Sequence, residues 1–277
     1  KARACPRNGR SAEDVQRPFG YLKRHKMNLK IVFEDAHLLD CYKPAGVPVQ
    51  SARTGTKDCE SILKNYLYEK EPEKGTPYLA VIHRLDQPVE GLLVFAKTET
   101  AAAGLSRQLQ DGRMKKNYLA VREKGANTVE NDRKKGNDGG KPGRNVEKPV
   151  DNWSEKVDFL RKNGRENRSE IVGEKTAGAK KAVLRYRILK TSKERELTEI
   201  RRITGRHHQI RVQMAGMGTP LAGDRKYGIK NKDVDSVDKS YPALCAYHLE
   251  FVHPKTQKTM TFQIEPENAA FMPFFPL

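Results

Sequence analysis

Leu92-Leu93-Val94-Phe95-Ala96 is an uninterrupted apolar run, opened by Gly91 and closed by Lys97. It has the length and the branched, aromatic make-up of a buried strand, so the chain must build a core around it. Gly91 marks either a turn or a place where another backbone comes close. A little earlier, Val81-Ile82-His83-Arg84-Leu85-Asp86 carries an apolar pair into a basic residue and a carboxylate. Asp86 therefore sits in a loop held between two apolar segments, the kind of place where a rigid scaffold carries chemistry. Asp is also a common turn residue, and the local sequence leaves both roles open.

The remaining segments predict a set of short elements. Leu29 to Phe33 and Leu38 to Tyr42 read as strands with Glu34 to His37 as their turn, and Lys43-Pro44-Ala45-Gly46 then breaks the pattern. Ser61 to Tyr68 places Ile62, Leu63, Tyr66 and Leu67 on one helical face. Glu99 to Leu109 reads as a second helix, ended by Asp111-Gly112. Lys115 to Arg122 is a strand carrying Tyr118, and Trp153 to Leu160 has renewed apolar patterning. Lys181 to Leu189 alternates with a period of two and pairs with Glu196 to Arg202. His207 to Met214 starts a helix, and Ala246 to Phe251 with Thr259 to Ile264 form a late hairpin. Phe271, Phe274 and Phe275 pack, in a Pro-rich context that excludes a helix. Strands and helices alternate without a βαβ rhythm, which predicts an α+β fold with a mixed, largely antiparallel sheet and flanking helices.

The chain has 277 residues and a formal net charge of +18, enough length for one large domain or two small ones. Such a basic balance points to a polyanionic partner. A membrane is the weaker choice, because no apolar run approaches the roughly 20 residues a spanning helix needs. No secretory signal pattern is present, which predicts a cytoplasmic protein. Cys5, Cys41, Cys59 and Cys245 form no C-x-x-C pair and read as reduced thiols. Residues 1–28 read as a basic tail with a short helix near Phe19 to Leu22. Residues 123–151 are rich in Gly, Asn, Lys and Asp, with little to bury, and are expected to form a mobile insertion in a domain spanning 29–277.

Four segments, in order, resemble the pseudouridine synthases of the RluA type. They are Ile31 to Val49, His83-Arg84-Leu85-Asp86 with Gly91-Leu92-Leu93, Lys116 to Val121, and Thr204 to Gly228. Together they span roughly residues 29 to 266, with a gap in the middle. The resemblance implies the pseudouridine synthase fold and an isomerase acting on specific uridines in ribosomal or transfer RNA by base flipping. Residues 1–28 are too short for the S4-type RNA-binding domain that many relatives carry. The isomerisation breaks the bond from ribose to a uracil nitrogen and rejoins the ring through carbon. Nothing enters or leaves, so no cofactor is expected, and neither a metal nor a membrane partner; a monomer is expected.

By the resemblance, Asp86 is the catalytic carboxylate, as carboxylates serve at glycosidic bonds elsewhere. Arg211 is the basic residue that keeps it ionised, and Tyr118 is the tyrosine that stacks on the flipped base. Arg84 fills the gap left in RNA by the extruded nucleotide. His83, Arg206 and Gln209 complete the substrate contacts. Each has an ordinary alternative: a surface Arg, a half-buried strand Tyr, an ion-pair partner. His83, His207 and His208 read as structural histidines rather than metal ligands. Gly218, Gly223 and Gly228 read as turn glycines, since no phosphate-loop spacing is present. One stretch departs from the family: Gln87-Pro88-Val89-Glu90 follows Asp86 where small hydroxyl residues are usual. Pro88 is expected to stiffen the loop and Glu90 to point outward. Two other classes fit less well: a non-catalytic RNA-binding protein that retains the fold, and a glycosylase that releases the base.

Overall fold

The computed structural model describes residues 20–21, 29–51, 55–125, 152–228 and 241–276. Two compact units are present, Lys1–Leu119 with Leu244–Phe271, and Ala120–Ala243 with Met272–Leu277. The chain passes from the first to the second in the middle of a strand, β6 (Lys115–Glu123).

The first unit is built around the apolar run. Strand β5 (Glu90–Ala96) has every residue buried. It pairs antiparallel with β3 (Leu38–Lys43), which in turn pairs antiparallel with β2 (Lys30–Glu34). The β2–β3 turn is made by Asp35, whose Oδ1 accepts from the N–H groups of His37 and Leu38, both at 2.7 Å. On its other side β5 runs parallel to β11 (Leu244–Val252), which forms a hairpin with β12 (Thr259–Gln263). Two-residue β4 (Ala80–Val81) pairs with the far end of β5.

Helix α1 (Cys59–Lys70) begins with a reciprocal cap, in which Asp58 accepts from the Ser61 N–H and Ser61 Oγ accepts from the Asp58 N–H. It buries Cys59, Ile62, Leu63 and Leu67, one stripe of the helix. Helix α2 (Glu99–Gln110) is capped by Thr98. Its Gln108 amide donates to the Val252 carbonyl and accepts from the Val252 N–H, at 2.7 and 2.8 Å, completing the end of β11.

In the second unit, β9 (Lys180–Thr191) lies between β7 (Ser154–Asn163) and β10 (Arg195–Arg202), antiparallel to both. The β7 strand forms a hairpin with β8 (Arg168–Val172). Helix α3 (Gln209–Gly216) lies on one face of this sheet, where Leu160, Ala182 and Val212 form a small core with Tyr227 against it. Arg122 of β6 is buried with Glu196 and donates to it through Nε at 2.9 Å.

The α+β class with a mixed, largely antiparallel sheet is therefore correct. Three details differ from expectation. Instead of a short helix near Phe19 to Leu22, Gly20–Tyr21 is a strand, β1, paired with Ile31 and Lys30. Four residues are too few to nucleate a helix, and the open edge of β2 offers hydrogen bonds at once. Second, Ala269–Phe274 is a 3-10 helix with Pro273 inside it, despite the prolines. The φ that proline fixes suits this tighter turn, and Phe271 and Phe274 are buried, as expected of packing residues.

Third, Glu90 does not face solvent. It is 3 % exposed and accepts from Tyr42 Oη at 2.6 Å and from the N–H groups of Glu267 and Asn268 at 3.2 Å. Because β5 is buried throughout, position 90 has no outer side. Burial pushes its carboxyl above the usual range.

The basic tail apart from Gly20–Tyr21, and residues 126–151 of the expected insertion, lie outside the described residues. Glu123 still belongs to β6, and the Lys124 N–H donates to the Glu194 carbonyl. Among the described cysteines, Cys41, Cys59 and Cys245 are buried free thiols. No helix among the described residues is long and apolar enough to cross a membrane.

Candidate active site

After β4, residues 82–89 turn back into β5 at Glu90. Ile82, His83, Leu85 and Val89 are buried, Arg84 is exposed and Asp86 is half-buried. The apolar members hold the loop against the core, so the charged ones are displayed from a fixed base. The Val89 N–H closes the turn by donating to the Asp86 carbonyl at 3.0 Å. His83 is tied to β5, where its Nε2 accepts from the Val94 N–H at 3.4 Å.

Lys43 anchors the segment that follows Asp86. Its side chain is fully buried, and the ammonium donates to the carbonyls of Pro44, Val47 and Gln87 at 3.0, 2.8 and 3.0 Å. Gly46 adds a second tie: its N–H donates to the Gln87 carbonyl, and its own carbonyl accepts from Gln87 Nε2. The Lys-Pro-Ala-Gly turn and the Asp86 loop are thus one hydrogen-bonded body. Burial pushes the Lys43 ammonium down to about 8 from 10.5, while the charge of Asp86 is among those pulling it up.

Lys43→Met takes the ammonium from three carbonyls, of which that of Gln87 keeps the Gly46 N–H as a donor, and we expect a loss of about 2 kcal/mol of stability. In the wild type, the cost of burying the proton is complete below the folded value of about 8 and vanishes above 10.5. The stability difference between wild type and variant, measured by denaturant unfolding, should therefore widen as pH rises through that window. A constant difference would mean that the ammonium does not titrate in the folded protein.

Tyr118, on β6 in the first unit, is 2 % exposed. The expected residues Arg206, Gln209 and Arg211 belong to the second unit, whereas His83, Arg84, Asp86 and Tyr118 belong to the first. In the second unit, Gln209 folds the turn that precedes α3. Its Oε1 accepts from Thr204 Oγ1 and the Arg206 N–H, and its Nε2 donates to the Val183 carbonyl. Gln209 is thus buried and engaged by its own chain. Arg206 donates through Nε to the Lys181 carbonyl at 2.9 Å and is half-buried.

Arg211 is held rigidly. Its Nε and Nη2 donate to Oδ2 and Oδ1 of Asp224, both at 2.7 Å, and both side chains are almost fully buried. Asp224 Oδ1 also accepts from the N–H groups of Lys226 and Tyr227, which fixes the carboxylate. A two-point pair of this kind sets the plane of the guanidinium as well as its place. The Tyr227 ring lies 5.2 Å from Arg211 Cζ.

The adjacent histidines stack at 3.7 Å. His207 bonds Ser169 Oγ and Asn167 Oδ1, and His208 bonds Tyr227 Oη. Burial, with Arg211 nearby, pushes His208 down to about 3, so its ring is neutral. Tyr227 Oη also accepts from the Ser169 N–H.

Of the two roles its sequence position left open, a turn or a close backbone approach, Gly91 takes the second. Its φ is 136°, and a Cβ there would lie 2.5 Å from the Ala246 nitrogen. Gly218 and Gly223 take positive φ in turns.

Lys43, Asp224 and Tyr227 were not singled out from sequence. Lys43 stands in the Lys-Pro-Ala-Gly turn and Asp224 near the end of the Thr204 to Gly228 segment. Nothing local distinguishes a buried lysine or aspartate from a solvated one.

Comparison with known proteins agrees with this architecture. The profile of the family described as RNA pseudouridylate synthase matches residues 37–216. A ribosomal large subunit pseudouridine synthase D of Zymomonas mobilis is 33% identical over 245 residues, covering 86% of this chain and 69% of that one. A ribosomal large subunit pseudouridine synthase D of Nitrosomonas europaea is 32% identical over 240 residues, covering 85% and 61%. Among solved structures, human RNA pseudouridylate synthase domain containing 4 superposes with a TM-score of 0.63 at 19% identity, covering 86% of this chain and 88% of the other. The match to solved structures concerns the fold, whereas the profile and the sequence relatives decide the family. The chain belongs to the RNA pseudouridylate synthases, a family of isomerases that modify RNA.

Proposed function

We propose that the chain isomerises uridine to pseudouridine in large-subunit ribosomal RNA, with Asp86 as the carboxylate that acts at the glycosidic bond. The substrate class rests on relatives named for that subunit. The observation that carries the assignment of Asp86 is its mounting: a half-buried carboxylate on a loop pinned by Lys43 and flanked by buried Leu85 and Val89. Such a mount holds a reacting group in place without reorganisation during the reaction.

The remaining roles follow from the chemistry. The bond from the ribose carbon to the ring nitrogen breaks, the ring turns, and a bond from the same ribose carbon to a ring carbon forms as the ring carbon gives up its proton and the freed ring nitrogen takes one up. Asp86 stabilises positive charge at the sugar carbon or forms a bond in its place. Arg211 is the basic residue that the family resemblance assigns to the reaction, and Asp224 fixes the orientation of its guanidinium. Arg84, exposed on the same loop, replaces the stacking lost when the nucleotide leaves the RNA. By the resemblance Tyr118 meets the flipped uracil, which reaches its buried ring when the side chains that cover it give way.

Incubating the protein with ribosomal RNA and mapping pseudouridine tests this reading. The expected product has unchanged mass and appears at defined uridines. Free uracil would indicate a glycosylase, and binding without product would indicate an RNA-binding protein.

Tyr118→Phe keeps the ring and removes the hydroxyl. Turnover is expected to fall by about 10-fold or more, with RNA affinity within about threefold since the stacking surface is retained. Single-turnover kinetics beside equilibrium binding separates the two, and full activity would make Tyr118 a packing residue.

A further inference from the structure

Among the described residues, the sheet of β7, β9 and β10 has one covered face and one open face. Directly paired residues point the same way. Ala182 and Leu184 of β9 are buried on the side where α3 packs. The opposite side carries Val157 beside Val183, and Arg185 beside both Glu155 and Arg201. Val157 is 42% exposed and Ile203, just beyond β10, is 61% exposed.

At one end of this open face Trp153 lies against two guanidinium groups. Arg201 Cζ is 4.3 Å and Arg187 Cζ 4.9 Å from its ring. Arg187 also pairs with Glu199, and Arg185 with Glu155. Arg201 is exposed and has no carboxylate partner among the described residues.

We propose that this open face of β7, β9 and β10 docks an unpaired stretch of the RNA substrate. The inference rests on the reading that the chain acts on RNA, and adds a surface to it. An indole and the guanidinium groups beside it offer π-faces on which bases of any sequence stack. The arginines supply charge for phosphates, in a chain whose net charge is +18. The exposed valine and isoleucine give the bases an apolar floor. A protein partner would be expected to need a larger apolar patch with fewer cations at its centre.

Trp153 is the chain's single tryptophan, so its emission reports on this face alone. The full chain is titrated with unlabelled oligoadenylate of about 12 nucleotides, which carries no uridine and cannot react. Saturable quenching of Trp153 is expected. Arg201→Gln, read by anisotropy with a labelled oligoadenylate, is expected to bind about 5- to 10-fold more weakly. Its log–log salt slope should be shallower by roughly 0.7. On ribosomal RNA the same variant should raise KM and leave kcat unchanged.

Unchanged Trp153 emission at saturating oligoadenylate would overturn the proposal, as would wild-type affinity and slope in Arg201→Gln. So would a dimer in sedimentation that Ile203→Glu dissociates without altering RNA affinity, since the face would then join two copies. Absence of product from every RNA tested would count against the synthase reading alone, because quenching by oligoadenylate needs no turnover.

Discussion

Asp86→Asn is expected to reduce pseudouridine formation by at least about 1,000-fold and to leave RNA affinity within about threefold. The amide keeps the size of the carboxylate but neither its charge nor its nucleophilicity. The loop should survive the change, because these ties do not use the Asp86 carboxylate: the Val89 N–H to the Asp86 carbonyl, and Lys43 to the Gln87 carbonyl. Affinity should persist because phosphate contacts by basic side chains supply most RNA binding. Single-turnover assays with excess enzyme give the rate directly, and a melting curve checks that the fold is intact. Appreciable product from a well-folded Asn variant would remove Asp86 from the chemistry.

Gly91→Ala is expected to cost roughly 3 kcal/mol or more of stability, a large value for a single methyl group. Two penalties combine at one position. The φ of 136° lies where residues with a side chain rarely go. The added carbon would also lie 2.5 Å from the Ala246 nitrogen and 2.6 Å from its oxygen, both backbone atoms of a neighbouring strand. Neither can move without breaking the β5–β11 ladder, in which Gly91 faces Ala246. Urea unfolding should show a lower midpoint. A shift of less than about 1 kcal/mol would mean that β11 yields at little cost.

The elements set by local periodicity were legible in the sequence. The β5 run, the α1 stripe, the β9–β10 pair and the late hairpin all stand where patterning placed them. So did Gly91, because a glycine ahead of an apolar strand has few other uses. What failed depended on distant partners. Glu90 reads as a surface acid until Tyr42 and the backbone of residues 267 and 268 converge on it. Short β8, largely polar, forms because β7 is beside it, and Arg168 to Val172 carries no strand signal of its own. Among the candidate residues, Asp86, Tyr118 and Arg211 stood out through ordered motifs. Lys43 and Asp224 work by holding other groups, and burial is what gives them that role.

The parallel pairing of β5 with β11 has a consequence for synthesis. The N-terminal segment leaves the ribosome with its most apolar strand complete but lacking a neighbour on one edge. That neighbour is encoded after Ala120–Ala243, the larger part of the second unit. Until it emerges, the Gly91 edge is an exposed row of unpaired peptide groups, the form of strand most prone to stick to another copy. The closing contact spans a long loop and so forms slowly. Nascent chains of this protein are therefore expected to gain from protection of this edge during translation.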